Sequence, residues 1–275
     1  MPRDMAPAPS TLVAELRAAG CVYAEDEARL LVSAAGTAAD LRALVDRRVA
    51  GEPLEHVLGR VDFCGLRLAV EPGVFVPRRR TELLVRMAVA GTRPGATVVD
   101  LACGCGAVGV AVATAVPHAA LHAVDLDPVA VACARRNVAT VDGHVYNGDL
   151  YGPLPVRLRG RVDVLVANVP YVPTGAVDLM PREARLYEPL AALDGGVDGL
   201  DLVRRVAAGA GAAGAAGAAG AAGWLAPGGR VLVETGADQA PAAVDVFTGA
   251  GLDAAVHHDE ELGATVVAGR YSGAI

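Results

Sequence analysis

The chain has 275 residues, a formal net charge of −7 and 24 basic residues, all of which are arginine. The acidic balance argues against a sequence-independent nucleic-acid binder, which normally carries a basic face. No apolar run is long enough to span a bilayer, and the first residues lack the apolar core of a secretory signal. Five cysteines at uneven spacing disfavour a disulfide framework. We therefore expect a cytoplasmic monomer without membrane or direct nucleic-acid partners.

Apolar residues recur with helical spacing through residues 10–50, and Gly51-Glu52-Pro53 ends the pattern. This pattern predicts a small helical domain over residues 1–55. The segment gathers no chemical groups, so a packing role and a substrate-recognition role both remain open.

Two short apolar runs, residues 57–63 and 66–70, predict a β-hairpin. We divide the chain into three parts, of which the second, residues 56–80, is a linker that contains the hairpin. The third and largest domain covers residues 81–275 and begins with a helix near Thr81.

The next elements are a buried strand, Thr97–Leu101, and a turn of small residues, Ala102–Ala107, that enters a helix. Glycines in such a turn let the backbone approach a ligand closely. A dinucleotide site begins in the same way, and Gly109 would supply its third glycine. The two cysteines of the turn have the wrong spacing for zinc, and we interpret them as small residues. The predicted cofactor contacts here are Asp100, Ala102, Cys103, Gly104, Cys105 and Gly106.

Two further predicted strands also end in acidic residues. Asp125-Leu126 follows the second strand, where a carboxylate is suited to bind ribose hydroxyls. Asp149-Leu150 follows the third strand, where the carboxylate could receive an adenine amino group and the leucine could pack on the ring. A helix cap or a solvated turn is the alternative for Asp149.

The fourth strand, Val162–Val166, ends abruptly in Ala167-Asn168-Val169-Pro170-Tyr171. Asn168 offers one carbonyl acceptor and an amide donor pair. Pro170 stiffens the backbone, and Tyr171 supplies an aromatic face with a polar tip. Such a corner can hold a planar amide or a nucleobase amine, whereas a simple tight turn is the alternative. Three successive strand ends carry candidate cofactor contacts, and the fourth carries a candidate substrate clamp. This order favours a functional site over a simple turn.

Beyond the site, residues 209–223 consist largely of Ala-Ala-Gly units. Interior glycines weaken a helix, so we predict a weak helix that arose by repeat expansion and has no chemical task. Pro227–Gly229 predicts a turn and Arg230–Glu234 a fifth strand. One more helix and two final strands complete an α/β fold with a seven-stranded sheet.

These residues resemble the HemK/PrmC family of protein glutamine methyltransferases, which methylate a glutamine of peptide-chain release factors with S-adenosylmethionine. The resemblance covers nearly the whole chain, including Asn168–Tyr171 and the run Glu188–Gly196. The combination is specific, whereas an Asn-Pro-Pro-Tyr motif alone also marks methyltransferases that act on adenine. The resemblance implies a Rossmann-like class I S-adenosylmethionine-dependent methyltransferase that needs no metal. It also implies that the Asn168 oxygen and the Val169 carbonyl accept the two amide hydrogens, while Tyr171 packs on the glutamine.

Two departures from the family pattern bear on the target. The family has Asn-Pro-Pro-Tyr where this chain has Val169, and Arg79 and Arg80 stand where the family has proline and glutamate. The resemblance therefore implies the reaction more strongly than the acceptor protein. An adenine-N6 nucleic-acid methyltransferase and a non-catalytic partner-binding module are the alternatives.

Overall fold

The computed structural model describes residues 9–211 and 223–273. Its first part is helical, as the periodicity predicts, and one apolar cluster that includes Leu12, Leu31 and Val45 holds the helices together. The helices are α1 (Pro9–Ala18), α2 (Ala24–Ala34), α3 (Ala38–Val49) and α4 (Leu54–Leu58).

The predicted start of the hairpin is wrong. Residues 57 and 58 belong to α4, because Val57 packs into the same apolar cluster as the N-terminal helices. Gly59, with φ at 69°, ends this helix, and only then does the chain become extended. The hairpin itself consists of β1 (Arg60–Phe63) and β2 (Leu66–Ala69).

Seven strands form the predicted sheet. They are β3 (Thr97–Leu101), β4 (Ala120–Asp125), β5 (His144–Asn147), β6 (Val162–Ala167), β7 (Leu225–Glu234), β8 (Asp253–Asp259) and β9 (Ala264–Arg270). Their spatial order is β5-β4-β3-β6-β7-β9-β8. The first five strands in this order are parallel, and β9 runs antiparallel to both of its neighbours. The turn predicted at Pro227–Gly229 lies within β7, where the register against β6 shifts.

Helices cover both faces of the sheet. The helices after α4 are α5 (Glu82–Val89), α6 (Ala107–Ala115), α7 (Pro128–Val138), α8 (Arg182–Tyr187), α9 (Asp201–Ala210) and α10 (Ala240–Gly249), of which α8 contacts the N-terminal helices and the others pack on the sheet. One apolar cluster joins the sheet to α5, α6 and α7, and another joins it to α9 and α10. Residues 212–222, which hold most of the predicted weak helix, lie outside the described residues. Within the described ranges, every helix is too short or too polar to cross a bilayer.

The strand order places a crevice at one edge of the sheet. From β3 the chain proceeds outward through β4 and β5, then returns to form β6 on the opposite side of β3. Ligands of open α/β sheets bind outside the carboxyl ends of the strands at such a reversal. The loops after β3, β4 and β6 therefore meet at the crevice.

Asn137, on α7, fastens the hairpin to the loop after β3. Its Oδ1 accepts from the Ala69 amide at 2.8 Å, and its Nδ2 donates to the carbonyls of Ala69 and Cys105, each at 2.8 Å. The side chain is 5% exposed, so water does not substitute for these partners. The hairpin and the loop are therefore held at a fixed separation.

We expect Asn137→Ala to lower the free energy of unfolding by about 1–3 kcal/mol, because buried backbone groups lose their partners. Urea unfolding measures this change. The matched control is Arg135→Ala on the exposed side of the same helix, which should stay within about 0.5 kcal/mol of wild type. Equal losses in the two variants would refute the role assigned to Asn137.

Candidate cofactor and acceptor site

A cavity of about 380 Å³ opens at the carboxyl ends of β3, β4 and β6. Most of the predicted site residues line it. These are Asp100, Ala102, Cys103, Gly104, Cys105, Asp125, Leu126, Asp149, Leu150, Asn168 and Pro170. Gly106, Val169 and Tyr171 were also predicted but do not line the cavity.

The loop after β3 is a tight turn built on backbone hydrogen bonds. The Gly106 amide donates to the Cys103 carbonyl at 2.7 Å, and the Cys103 amide donates to the Val124 carbonyl at 3.0 Å. Gly106 has φ at 81°, and a Cβ there would come within 3.1 Å of Val138 on α7. Gly106 thus shapes the turn and lets α7 approach, while the residues before it face the cavity.

Asp125 is held by the backbone of two loops. Its Oδ2 accepts from the Gly104 amide at 2.7 Å and its Oδ1 from the Asp127 amide at 2.9 Å. Asn147 donates to the carbonyls of Asp125 and Leu126, at 3.1 and 2.9 Å, and so fixes the start of this loop. Burial raises the pKa of Asp125, although these amides oppose the shift. The carboxylate keeps lone pairs for hydroxyl donors in the cavity.

Asp100 is the most deeply buried acid of the cavity, with 2% exposure. Its Oδ2 accepts from the Gly109 amide at 2.8 Å. Burial raises the pKa of Asp100 to about 7, and the nearby Asp125 carboxyl adds to the shift. The Asp100 carboxyl therefore gains a proton near neutral pH unless a cation lies beside it.

The end of the cavity after β5 holds an ion pair that the sequence did not indicate. Arg205 on α9 lines the cavity and donates to Asp149 Oδ2 at 2.6 Å. Both side chains are about half exposed, so the pair contributes little to stability. The pair does orient the Asp149 carboxylate at the cavity wall.

Asn168 is positioned by Thr81, at the start of α5. The Asn168 Nδ2 donates to the Thr81 hydroxyl at 3.4 Å, and both residues line the cavity. The next side chain, Val169, points into the apolar cluster beneath α9 and is 1% exposed. Tyr171 lies outside the cavity, and its hydroxyl donates to Glu234 Oε1 at 2.9 Å.

The remaining wall comes from two segments that the sequence analysis did not assign to the site. They contribute Gly73, Val74, Phe75, Pro77 and Thr81 on one side, and Pro189, Ala191, Ala192, Leu202 and Arg205 on the other. Glu188 joins the two segments, because its Oε1 accepts from the Val76 amide and from Arg78. The sequence did contain an indication of these wall residues, because several of them lie in stretches 77–82 and 188–196, which resemble the family.

The chain is similar to known proteins in both sequence and structure. A family model described as the methyltransferase small domain matches residues 65–188. The release factor glutamine methyltransferase of Geobacter sulfurreducens is 38% identical over 213 residues, which cover 77% of this chain and 70% of that protein. The chain belongs to the release factor glutamine methyltransferase family.

The chain is also similar to a second methyltransferase in sequence and to a solved methyltransferase in structure. The 4-amino-L-phenylalanine/4-methylamino-L-phenylalanine methyltransferase of Streptomyces pristinaespiralis is 36% identical over 217 residues, which cover 75% of this chain and 69% of that protein. A methyltransferase structure from Pyrococcus furiosus has a TM-score of 0.52 at 16% identity, over 76% of this chain and 90% of that one. The expected Rossmann-like class I methyltransferase fold is therefore confirmed.

The cofactor of this family is S-adenosylmethionine, and the cavity suits it. The molecule carries an adenine, a ribose diol, a sulfonium and an amino-acid end. Asp125 provides acceptors for hydroxyls, and Asp100 provides a buried acid whose raised pKa a neighbouring cation would lower. The residues present therefore fit the group.

We expect the affinity for S-adenosylmethionine to rise by up to about tenfold as the pH increases from one unit below to one unit above the Asp100 pKa of about 7. Below that pKa the Asp100 carboxyl is neutral, and above it the carboxylate attracts the ammonium group of the cofactor. Isothermal titration calorimetry measures the dependence. Asp100→Asn should bind weakly with a flat profile over this range, and an unchanged slope in that variant would contradict the assignment.

Proposed function

We propose that the protein transfers the methyl group of S-adenosylmethionine to the side-chain amide nitrogen of a glutamine in a peptide-chain release factor. The observation that carries the proposal is Asn168, whose amide is held by Thr81 at the wall of the cofactor cavity. The name of the Geobacter sulfurreducens relative supports the same acceptor. Release factors act on cytoplasmic ribosomes, so we place the enzyme in the cytoplasm. We also propose that it acts as a monomer.

The cofactor contacts follow from the strand ends. Asp125 would accept the ribose hydroxyls, and Asp100 would face the ammonium of the amino-acid end. The backbone of Cys103–Cys105 would approach the amino-acid end closely, since this turn presents little side-chain bulk. Asp149 and Leu150 would contact the adenine, with Asp149 oriented by Arg205.

The acceptor amide must be oriented, because its nitrogen lone pair is delocalised into the carbonyl. Asn168 donates through Nδ2 to Thr81, which leaves its Oδ1 to accept one amide hydrogen of the glutamine. The Val169 carbonyl would accept the second hydrogen. S-adenosylmethionine supplies an electrophilic methyl group, and the protein aims the nitrogen at it. Most of the acceleration then comes from positioning and from preorganised dipoles.

The N-terminal helices contact a segment that leads to the wall of the cavity. The Tyr187 hydroxyl on α8 donates to the Ala50 carbonyl at 3.2 Å, and Arg48 on α3 pairs with Glu183 on α8. The segment that contains α8 connects the Asn168 loop to Pro189 at the cavity wall. These contacts support substrate recognition as the role of the helical domain over residues 1–55.

A second acceptor class deserves a direct test. The Streptomyces pristinaespiralis relative is named for methylation of an aromatic amine, and such a nitrogen also presents hydrogens to an oxygen acceptor. Adenine in a nucleic acid has the same property, but the net charge of −7 disfavours a polyanionic substrate.

We expect wild-type protein to transfer labelled methyl from S-adenosylmethionine to a purified release factor, and Asn168→Ala to lower kcat by about 10²- to 10³-fold. The loss arises because the amide of the acceptor no longer has a fixed hydrogen-bond acceptor. Mass spectrometry of the digested release factor locates the methyl group on a glutamine.

The matched control is Asp178→Ala, which removes an exposed side chain from the segment after the acceptor loop and should retain wild-type activity. Parallel reactions contain 4-amino-L-phenylalanine or adenine-containing DNA. Methylation of either in place of the release factor would refute the proposed acceptor. Transfer at full rate by Asn168→Ala would refute the role of Asn168.

A further inference from the structure

The acceptor loop, residues 168–171, has limited rigidity of its own. Pro170 fixes one φ angle, but Val169 before it does not. The Val169 amide has no hydrogen-bond acceptor among the residues that the structure describes. The backbone of the loop is anchored at its second end, where the Tyr171 carbonyl accepts from Gln239 Nε2 at 2.8 Å. The next residue, Val172, donates its amide to the Leu193 carbonyl at 3.2 Å. The position of the loop therefore depends on contacts from other segments.

One short helical turn, Arg79–Thr81, contacts both ends of the loop. Thr81 accepts from Asn168 at the first end. Arg80 lies over the ring of Tyr171 at the other end, with its Cζ 5.8 Å from the ring centroid. Two consecutive residues of one turn thus hold the two residues that bound Val169-Pro170.

Glu234, at the carboxyl end of β7, completes the contact with Tyr171. Its Oε1 accepts from the Tyr171 hydroxyl at 2.9 Å and from Arg80 Nε at 3.0 Å. Burial raises the pKa of Tyr171, and the Glu234 carboxylate adds to the shift, so the hydroxyl keeps its proton and donates. The Tyr171 ring is therefore held between a fixed carboxylate and a guanidinium.

The Glu234 carboxylate needs Arg80 as its counter-charge. The Glu234 side chain is 2% exposed, and Arg80 is the cation paired with it in the described part of the chain. The other carboxylate oxygen of Glu234, Oε2, has no hydrogen-bond partner among the described residues. A buried carboxylate without a cation is strongly unfavourable, so the loss of Arg80 would force Glu234 and Tyr171 to rearrange.

We propose that Arg80 and Thr81, two consecutive residues of the turn Arg79–Thr81, brace the acceptor loop and that Arg80 is a positioning residue for methyl transfer. Arg80 acts through Tyr171 and Glu234 and thereby holds the position of Val169, whose carbonyl is the second hydrogen-bond acceptor in the proposed function. This inference rests on the proposed function for its kinetic consequence. Its structural consequence, a loop whose order depends on Arg80, can be measured without any acceptor.

The test compares Arg80→Gln with Arg79→Gln. Both variants remove one positive charge from an exposed residue of the same turn, but Arg79 makes none of the contacts described above. We expect faster hydrogen–deuterium exchange of the Val172 amide in Arg80→Gln and no change in Arg79→Gln, with S-adenosylmethionine present in both. With the release factor as acceptor, kcat should fall by about 10- to 100-fold in Arg80→Gln alone, with a smaller effect on KM.

Two further variants keep the result interpretable. Tyr171→Phe removes the hydrogen bond to Glu234 without a change of charge, and it should also accelerate exchange of the Val172 amide. If Arg80→Gln does not fold, this variant tests the brace in its place. Val169→Pro, which stiffens the loop directly, should restore part of the kcat lost in Arg80→Gln.

Equal increases of KM in the two arginine variants, with wild-type exchange and kcat, would overturn the brace and show that the turn only attracts the acceptor. Wild-type exchange in both Arg80→Gln and Tyr171→Phe would overturn it as well. If wild type transfers no methyl to the release factor, the proposed function fails, while the exchange comparison still decides whether the brace exists.

Discussion

The structure depends on the satisfaction of buried carboxylates at the carboxyl ends of parallel strands. Asp100 and Asp125 lie at the carboxyl ends of neighbouring strands beside the cavity, where a buried acid without partners would be costly. Backbone amides of the adjoining loops supply those partners, from Gly109 to Asp100 and from Gly104 and Asp127 to Asp125. The loops consequently adopt the shape of a cofactor site even though they are also ordinary strand-to-helix turns.

Most of these strand ends and loops could be predicted from the sequence, because the residues that determine them are close together in the chain. A β-branched run followed by glycine, aspartate or asparagine marks both a strand and the residue at its end, and the parallel order brings such ends together. The three asparagines show the limit of that reasoning. Asn168 could be assigned from its position after a strand, whereas the links that Asn137 and Asn147 form are visible only in three dimensions.

The other half of the cavity could not be predicted in the same way. Its walls come from residues 73–81 and 189–205, which approach each other only after the sheet has formed. The helix at Leu54–Leu58 was missed because its apolar residues suit a short strand equally well, and packing against α3 decides the outcome. The direction of Tyr171 depends on Glu234, which is 63 residues away in sequence. This wall of the cavity is therefore a tertiary feature of the protein, whereas the loops after β3 and β4 follow largely from the local sequence.

The link through Asn137 also has a kinetic consequence. The same side chain holds β2, which leads into the wall at residues 73–77, and the Cys105 carbonyl of the cofactor loop. An outward movement of that wall would strain the cofactor loop at once. Departure of the methylated acceptor and exchange of the spent cofactor would then share one opening event.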